Sequence, residues 1–190
     1  MSKLYFRYSA MNSGKTTALL QVAHNYEERG MKVVILKPVT DTKGATKIVS
    51  RLGLDRDVDI LVPSEASVAR LLKPLANIAC VLIDEAQFLT PSQIDELFWF
   101  ASDNDIPVIA YGLRTDFQTQ GFPGSTRLLE LAHELQEIKT ICHCGKKAVF
   151  NGRKLNGTFT SHGTQVAIEG EDDVDYESLC ASCYKKFIVQ

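Results

Sequence analysis

The chain has 190 residues, of which 45% are hydrophobic and 23% charged, and its formal net charge is −2 at pH 7. This composition indicates a globular protein with a sizeable core, and the near-neutral charge argues against general binding to nucleic acid or to anionic membranes. The sequence shows no signal-peptide pattern and no apolar stretch of the roughly 18 residues that a membrane span needs, so we expect a cytoplasmic protein.

A phosphate-binding loop is predicted near the N-terminus. An apolar strand over residues 1–8 precedes Ser9-Ala10-Met11-Asn12-Ser13-Gly14-Lys15-Thr16, and a helical pattern follows as far as Arg29. In such a strand–loop–helix unit the backbone N–H groups cradle phosphate, the lysine reaches the β- and γ-phosphates, and the threonine hydroxyl binds Mg²⁺. The usual pattern opens with glycine where this chain has Ser9. An ordinary strand-to-helix turn is the alternative interpretation.

Further along the chain, apolar strands alternate with helices. The pattern predicts strands at 32–36, 58–62, 79–83, 107–111 and 136–141, and helices at 65–75, from 90 through 99, and at 128–135. This alternation predicts an α/β fold with a parallel sheet flanked by helices. Residues 38–57 read as a long polar connection, in which Asp41, Lys43 and Arg51 could contact phosphate or substrate or could belong to a solvated loop.

A pair of carboxylates follows the apolar strand at residues 79–83. The run continues as Asp84-Glu85-Ala86-Gln87, at the strand end where open α/β sheets bind their ligands. Asp84 has the position of the acidic residue that holds Mg²⁺ in P-loop nucleotide-binding proteins. Glu85 could accept a proton from a substrate hydroxyl. An acidic strand end without a specific role is the alternative.

Two cysteine pairs mark the C-terminal part. They are Cys142-His143-Cys144 and Cys180-Ala181-Ser182-Cys183. The second pair has the spacing that lets two sulfurs bind one tetrahedral ion, whereas the first is tighter, so His143 is an alternative ligand. We predict structural Zn²⁺ bound by Cys142, Cys144, Cys180 and Cys183. Cys80 lies in an apolar strand and is predicted to be a core residue.

The composition changes at the first cysteine pair. We therefore predict two domains, a nucleotide-binding domain at residues 1–140 and a small zinc-binding domain at residues 141–190. Basic and acidic residues are equally numerous from Cys142 onward, which argues against a nucleic-acid-binding zinc ribbon. A metal-anchored loop that closes over a small molecule agrees better with this balance.

The phosphate loop, the segment Asp84-Glu85-Ala86-Gln87-Phe88-Leu89, the stretch Gly112-Leu113-Arg114-Thr115-Asp116-Phe117-Gln118 and the cysteine pairs together resemble the thymidine kinase family. The similarity is to its cytosolic, zinc-containing type II class, shared by bacteria and animals. It implies a P-loop (RecA-like) fold with a zinc-binding lasso domain, and transfer of the ATP γ-phosphate to the 5′-hydroxyl of thymidine or deoxyuridine. It also implies a homotetramer that dTTP inhibits, without nucleic-acid or membrane partners.

The resemblance also implies roles for individual residues. Residues Ser9 to Thr16 and Asp84, Glu85, Ala86 and Gln87 would contact ATP, Thr16 and Asp84 would hold Mg²⁺, and Glu85 would be the catalytic base. The substrate-binding set would be Met11, Leu113, Phe117, Phe122, Asn151, Val166, Ile168 and Tyr176, of which the last three belong to the lasso that covers the base.

Two other functions remain open from the sequence. Asp84-Glu85-Ala86 is similar to a helicase motif, so a nucleic-acid-stimulated P-loop ATPase with a zinc ribbon is one alternative. A zinc-dependent binding module with an inactive nucleotide site is the other. Retention of Lys15, Thr16 and Asp84 argues against the second.

Overall fold

The computed structural model describes residues 2–39, 46–165 and 174–189 of the chain. Over these residues the strands are β1 Leu4–Ser9, β2 Lys32–Pro38, β3 Lys47–Val49, β4 Asp55–Asp57, β5 Ile60–Val62, β6 Ile78–Ile83, β7 Val108–Leu113, β8 Glu134–Glu137, β9 Thr140–Ile141, β10 Lys147–Ala148, β11 Phe150–Leu155, β12 Thr158–Thr160 and β13 Val174–Leu179. The α-helices are α1 Lys15–Glu27, α2 Val68–Leu72, α3 Pro91–Asn104, α4 Pro123–Leu131 and α5 Ala181–Ile188, and Ala86–Phe88 form one 3₁₀ turn.

A six-stranded sheet forms the centre of the molecule, with the strand order β5-β2-β6-β7-β1-β8. Every neighbouring pair in it is parallel. Successive side chains of a strand point to opposite faces, so Val33 and Ile35 pack with helix α1 whereas Val34 and Leu36 pack with helices α2 and α3. Burial of both faces explains the continuous apolar runs of these strands and confirms the predicted parallel α/β fold.

The order of the central strands determines where the site lies. Strand β7 lies between β6 and β1, with Ser9 paired to Leu113 and Ile83 paired to Ala110. The strands are parallel, so their carboxyl ends lie at one edge of the sheet. The segment 9–16, the residues after Ile83 and the β7–α4 loop at residues 114–122 therefore leave the sheet side by side.

Helix α3 begins as the sequence predicts. The Thr90 hydroxyl accepts a hydrogen bond from the backbone N–H of Gln93 at 3.3 Å, and the Gln93 side chain accepts one from the N–H of Thr90 at 3.0 Å. Pro91 occupies the first helical position, where its missing N–H removes no helical hydrogen bond. The reciprocal cap explains why the helix starts at this residue.

The prediction of an irregular connection over residues 38–57 is wrong for its second half. Strands β3 and β4 pair antiparallel there, and the Ile48 side chain is buried in the cluster beneath α1. Arg56 forms an ion pair with Glu27 at 2.8 Å. Strand β3 has one buried apolar residue and strand β4 has none, and this pattern is too weak to predict a strand pair. Asp41 and Lys43 lie outside the described residues.

The predicted helix at residues 128–135 is also misplaced. Helix α4 begins at Pro123, and residues 134–137 form the edge strand β8. The first turn contains Gly124 and Ser125, which are buried but carry no apolar side chain, so hydrophobic periodicity could not show it. The predicted helix at 65–75 is shorter than expected and covers only Val68–Leu72.

Residues 140–165 and 174–189, called here the cysteine module, form two small sheets apart from the central one. Strands β12, β11 and β13 pair antiparallel, strands β9 and β10 form a second pair, and α5 packs on β11. The buried cluster consists of Cys142, Ala148, Leu179, Cys180 and Tyr184. The sequence pattern predicted no strands beyond residue 141, because the strands of this region are polar and alternate weakly. Among the described helices, none is long and apolar enough to cross a membrane.

Candidate functional site

The phosphate loop, Ser9–Thr16, connects β1 to α1 in a compact turn. Gly14 caps α1 with φ 82°, a left-handed conformation that favours glycine. The ammonium group of Lys15 donates hydrogen bonds to Ser9 Oγ at 3.1 Å and to the carbonyl of Ala10 at 3.2 Å. The Ser9 hydroxyl also lies 2.5 Å from Ser13 Oγ. The serine at the position of the usual glycine therefore contacts the lysine that the loop presents.

Two carboxylates lie near this lysine. Burial raises the pKa of Asp84 to about 7, and the adjacent Glu85 contributes, because a buried carboxylate loses solvation and repels its neighbour. Burial lowers the pKa of Lys15, while Glu85 and Asp84 raise it. A divalent cation would relieve this repulsion, and the carboxylate of Asp84 and the hydroxyl of Thr16 are oxygen ligands of the kind that Mg²⁺ prefers.

Glu85 is held in place by Gln87. The amide nitrogen of Gln87 donates to the Glu85 carboxylate, and its amide oxygen accepts from the backbone N–H of Leu113 at 3.1 Å. The Gln87 side chain is 1% exposed. Glu85 adopts φ 52°, an uncommon conformation for a residue other than glycine. A Cβ at Gly112 would lie 2.9 Å from the Gln87 amide oxygen, which requires glycine there. Sequence reasoning assigned Gln87 to ATP and gave no signal for this positioning role.

A cavity of about 770 Å³ is lined by part of the predicted set, whereas Ser9, Ala10 and Asp84 are buried and do not line it. Its lining includes Met11, Lys15, Thr16, Glu85 and Leu113, together with Arg51 from the segment whose role was left open. This volume is within the range of about 300–1,000 Å³ that small-molecule sites occupy. A groove of similar size, about 810 Å³, lies between α2 and α3 but contains none of the predicted site residues. The convergence of a lysine and a carboxylate identifies the first cavity as the candidate site.

Several other predicted residues are buried and do not line the cavity. Phe117 is 1% exposed beneath the Arg153 guanidinium, and Phe122 is 4% exposed, edge-to-face with Phe88. Ala86 is buried in the core beneath α3 and α4. Their predicted contacts with substrate or ATP stay predictions. Val166 and Ile168 lie outside the described residues.

Polar contacts join the cysteine module to the phosphate loop. The Asn151 side-chain oxygen accepts from the backbone N–H of Met11 at 2.7 Å, and the Ser178 hydroxyl donates to the Met11 carbonyl. The Asn12 amide donates to the carbonyl of Tyr176 at 3.1 Å. The backbone of Tyr176, predicted in the lasso, thus contacts the phosphate loop. No sequence pattern distinguished Ser178 from other polar strand residues.

The four cysteines of the module form a potential metal site. The Sγ atoms of Cys142, Cys144, Cys180 and Cys183 all lie within 4.8 Å of one another. A tetrahedral zinc site with bonds of about 2.3 Å places its sulfurs about 3.8 Å apart, so the cluster fits that ion. A hydrogen bond from the Cys183 N–H lowers the pKa of Cys180 and favours its thiolate, whereas burial raises the pKa of the neighbouring Cys183.

His143 lies at the edge of this cluster. Its Nε2 is 3.8 Å from Cys183 Sγ, and its Nδ1 lies 2.8 Å from a carboxylate oxygen of Glu177. The first cysteine pair turns through Gly145, which has φ 84° and whose N–H donates to the Cys142 carbonyl at 2.8 Å. This turn brings both sulfurs of the short-spaced pair into the cluster, and the potential metal site consists of the four thiols without the imidazole.

Proteins similar in sequence to this chain are known from bacteria and from a bacteriophage. The family model described as Thymidine kinase matches residues 2–184. Curated relatives named thymidine kinase include one from Ruegeria pomeroyi, 45% identical over 98% of this chain and 95% of the relative. One from Chromobacterium violaceum is 46% identical over 97% and 98%, and one from Enterobacteria phage T4 is 43% identical over 95% and 94%. The chain therefore belongs to the thymidine kinase family.

Proposed function

We propose that the protein transfers the γ-phosphate of ATP to the 5′-hydroxyl of thymidine, and also of deoxyuridine. The observation that carries this proposal is the single cavity in which Lys15 of the phosphate loop meets Glu85 at the end of β6. Family membership supplies the substrates, and the cavity supplies the groups that phosphoryl transfer needs.

On the nucleotide side, the N–H groups of the phosphate loop and the start of α1 bind the phosphates of ATP. The Lys15 ammonium leaves Ser9 and Ala10 and contacts the β- and γ-phosphates. Thr16 and Asp84 would hold Mg²⁺, which neutralises charge on the phosphate oxygens when bound. Catalysis in this reaction class is mostly positioning and electrostatic stabilisation.

On the acceptor side, Glu85 orients the 5′-hydroxyl and takes its proton. The bond from the 5′-oxygen to the γ-phosphorus forms while the bond from that phosphorus to the β,γ-bridging oxygen breaks, so ADP leaves and the proton remains on Glu85. The hydrogen bond from Gln87 restricts the rotamer of Glu85 before substrate binds. This restriction is useful because misplacement by about 1 Å can lower the rate about 100-fold.

The nucleoside base lies toward Leu113 and the 114–122 loop, with Met11, Phe117, Phe122 and Tyr176 around it. A methyl group contributes only about 1–3 kcal/mol of discrimination, so deoxyuridine should also be a substrate. The chain divides into a nucleotide-binding domain at residues 1–140 and a lasso domain at 141–190 stabilised by Zn²⁺ on the four cysteines. The four-sulfur site has no open position, so the zinc is structural.

Phosphate transfer from Mg·ATP to thymidine, deoxyuridine, deoxycytidine and deoxyadenosine, measured side by side, tests the proposal. We expect turnover with the first two only. No turnover with any of the four, in protein shown to contain zinc, would end the kinase assignment. ATP hydrolysis stimulated by DNA or RNA without thymidine would favour the ATPase alternative.

Family membership also supports inhibition by dTTP, assembly into a homotetramer and a cytoplasmic location without nucleic-acid partners. Sedimentation of the zinc-loaded protein tests the assembly, and dTTP titration of the thymidine assay tests the inhibition. A monomer at assay concentration, or activity unchanged by excess dTTP, would remove the corresponding part of the proposal.

A further inference from the structure

One side chain of the cysteine module contacts both loops that the proposed function assigns to substrates. We propose that Asn151 is a positioning residue that couples the ATP-binding loop to the nucleoside-binding loop, so that occupancy of either site favours the bound form of the other. The proposal rests on the proposed function for the identity of the two ligands.

The two hydrogen bonds of Asn151 run in fixed directions. Its Oδ1 accepts from the backbone N–H of Met11 at 2.7 Å, and its Nδ2 donates to the carbonyl of Thr115 at 2.9 Å. A backbone N–H needs an acceptor and a carbonyl needs a donor, so only one orientation of the amide satisfies both. The side chain is 2% exposed, and water cannot readily replace either bond.

The backbone of Asn151 is itself fixed. Strand β11 is the central strand of the antiparallel sheet, where Asn151 pairs with Ser178 and Phe150 pairs with Leu179. Leu179 belongs to the buried cluster that contains Cys142 and Cys180. The amide therefore extends from a sheet that packs on the cysteine cluster. Because its backbone is fixed, we expect a shift of the Met11 N–H to shift the Thr115 carbonyl as well, and the reverse.

On the nucleotide side, Asn151 holds one end of a peptide group that Lys15 holds at the other. The Ala10 carbonyl and the Met11 N–H belong to the same peptide unit, and Lys15 donates to that carbonyl at 3.2 Å. The Ser9 hydroxyl also donates to this carbonyl, at 2.8 Å. A nucleotide that draws the ammonium toward its phosphates therefore leaves the carbonyl bound to Ser9, which lies in the same loop. Asn151 is then the side chain from outside the phosphate loop that holds this peptide unit in place.

On the nucleoside side, Thr115 begins a loop that is closed by its own hydrogen bonds. Thr115 and Gly121 form a β-bridge, and the Asp116 carboxylate accepts from the N–H groups of Gln118 and Gln120, each at 2.8 Å. A shift of the Thr115 carbonyl therefore shifts the loop that carries Phe117. A ligand that orders this loop also orders the amide that holds the phosphate loop.

Two other contacts of the module provide matched controls, because each reaches one loop only. The Ser178 hydroxyl donates to the Met11 carbonyl, and the Tyr184 hydroxyl donates to the Phe117 carbonyl at 2.5 Å. Ser178→Ala loosens the phosphate loop and Tyr184→Phe loosens the nucleoside loop. Asn151→Leu, of similar shape but without hydrogen-bonding groups, breaks the connection between the two.

The test measures binding of the magnesium complex of the β,γ-imido analogue of ATP, with and without saturating thymidine, to the full-length zinc-loaded protein. We expect thymidine to tighten binding at least about 5-fold in the wild-type protein, as is usual for coupled sites, and less than 2-fold in Asn151→Leu. Ser178→Ala and Tyr184→Phe should bind the respective ligand more weakly but keep the wild-type ratio. If Asn151 had a merely structural role, all three variants would bind ligand more weakly, and the effect of thymidine on analogue affinity would fall in all three.

A measurement on the wild-type protein covers the case in which Asn151→Leu does not fold. We expect thymidine alone to slow hydrogen exchange over residues 10–16, and the ATP analogue alone to slow it over 114–122. The proposal would be overturned if each ligand slowed exchange in its own loop only. It would also be overturned if Asn151→Leu kept the wild-type binding ratio, or if the two control variants lost the ratio as completely as Asn151→Leu does. A parallel transfer assay separates the two hypotheses, since thymidine phosphorylation without coupling contradicts only this inference.

Discussion

The parallel sheet and the cysteine module are stabilised in different ways. The sheet has an apolar cluster on each face, and its central strands β6 and β7 are almost entirely buried. The cluster in the module has five buried residues, two of which are cysteines. We therefore expect the sheet to fold by burying apolar surface and the smaller module to need metal at its potential four-cysteine site. The candidate site lies where the two regions meet, so it needs both kinds of stability.

Removal of the metal should separate the two regions most strongly. A structural zinc site contributes on the order of 10 kcal/mol to the folding of a small module. We expect Cys144→Ser, or chelation of the wild-type protein, to abolish exchange protection over residues 140–165 and 174–189 while β6 and β7 stay protected. Hydrogen exchange with metal analysis measures both effects. Cys80→Ala is the control that keeps the metal, and uniform loss of protection would show that the sheet does not fold independently.

Substitution of the proposed catalytic base, in contrast, should remove activity while both regions keep their structure. We expect Glu85→Gln to lower kcat for thymidine by about 10²–10⁴-fold, the usual contribution of a general base, with ATP-analogue affinity retained. Steady-state kinetics and a binding titration measure the two quantities. Glu65→Gln, an exposed position away from the cavity, is the matched control. Unchanged turnover would remove Glu85 from the catalytic role.

Paired cavity-forming substitutions sharpen the comparison further. Leu82 in β6 and Leu179 in β13 are both fully buried, and each leucine-to-alanine change should cost about 2–5 kcal/mol. The single tryptophan of the chain, Trp99, is exposed on α3, so amide hydrogen exchange in strands β6 and β7 at rising urea concentration is the signal that reports unfolding of the sheet. We expect Leu82→Ala to lower the urea midpoint of this signal and Leu179→Ala to leave it unchanged while weakening metal affinity. Equal shifts would indicate one cooperative unit.

The smallest expected effect is the loss of folding stability caused by the buried carboxylate of Asp84. The pKa of Asp84 is about 7 when folded, above the ordinary 3.8, so the folded protein holds a proton that the unfolded chain releases. This destabilisation is absent below about pH 4, grows as the pH rises and is complete above pH 7. In buffer without nucleotide or magnesium, Asp84→Asn should raise the free energy of unfolding at pH 8 by about 1–4 kcal/mol. The gain should shrink at pH 5, and an equal gain at both pH values would contradict the mechanism.

The sequence predicted the parts of the fold that depend on repetitive or local chemistry. Continuous apolar runs indicated the parallel strands, and the cap at Thr90 located the start of α3. Hydrophobic periodicity failed where burial involves few or small side chains, as at Ile48 in β3 and at Gly124 in α4. A Cβ at Gly124 would lie 2.5 Å from the Leu89 carbonyl, so close packing of backbones takes the place of apolar side chains there.

The same distinction applies to the site. The order of strands and motifs predicted that Lys15, Asp84 and Glu85 would meet, and spacing predicted the four-cysteine cluster. The contacts of Gln87, Asn151 and Ser178 with distant backbone groups could not be predicted. Each depends on a three-dimensional distance between segments far apart in sequence, which leaves no periodic or spaced signature in a single chain.

Because Cys80 is buried, the number of reactive thiols should differ between the metal-bound, metal-free and unfolded protein. Of the five cysteines, four form the cluster, and Cys80 is fully buried, with burial raising its thiol pKa to about 12. A thiol reagent should react slowly with the metal-bound protein, with four equivalents after the metal leaves, and with the fifth only after the sheet unfolds. One colorimetric titration can thus report separately how many molecules in a preparation carry metal and how many have an intact sheet.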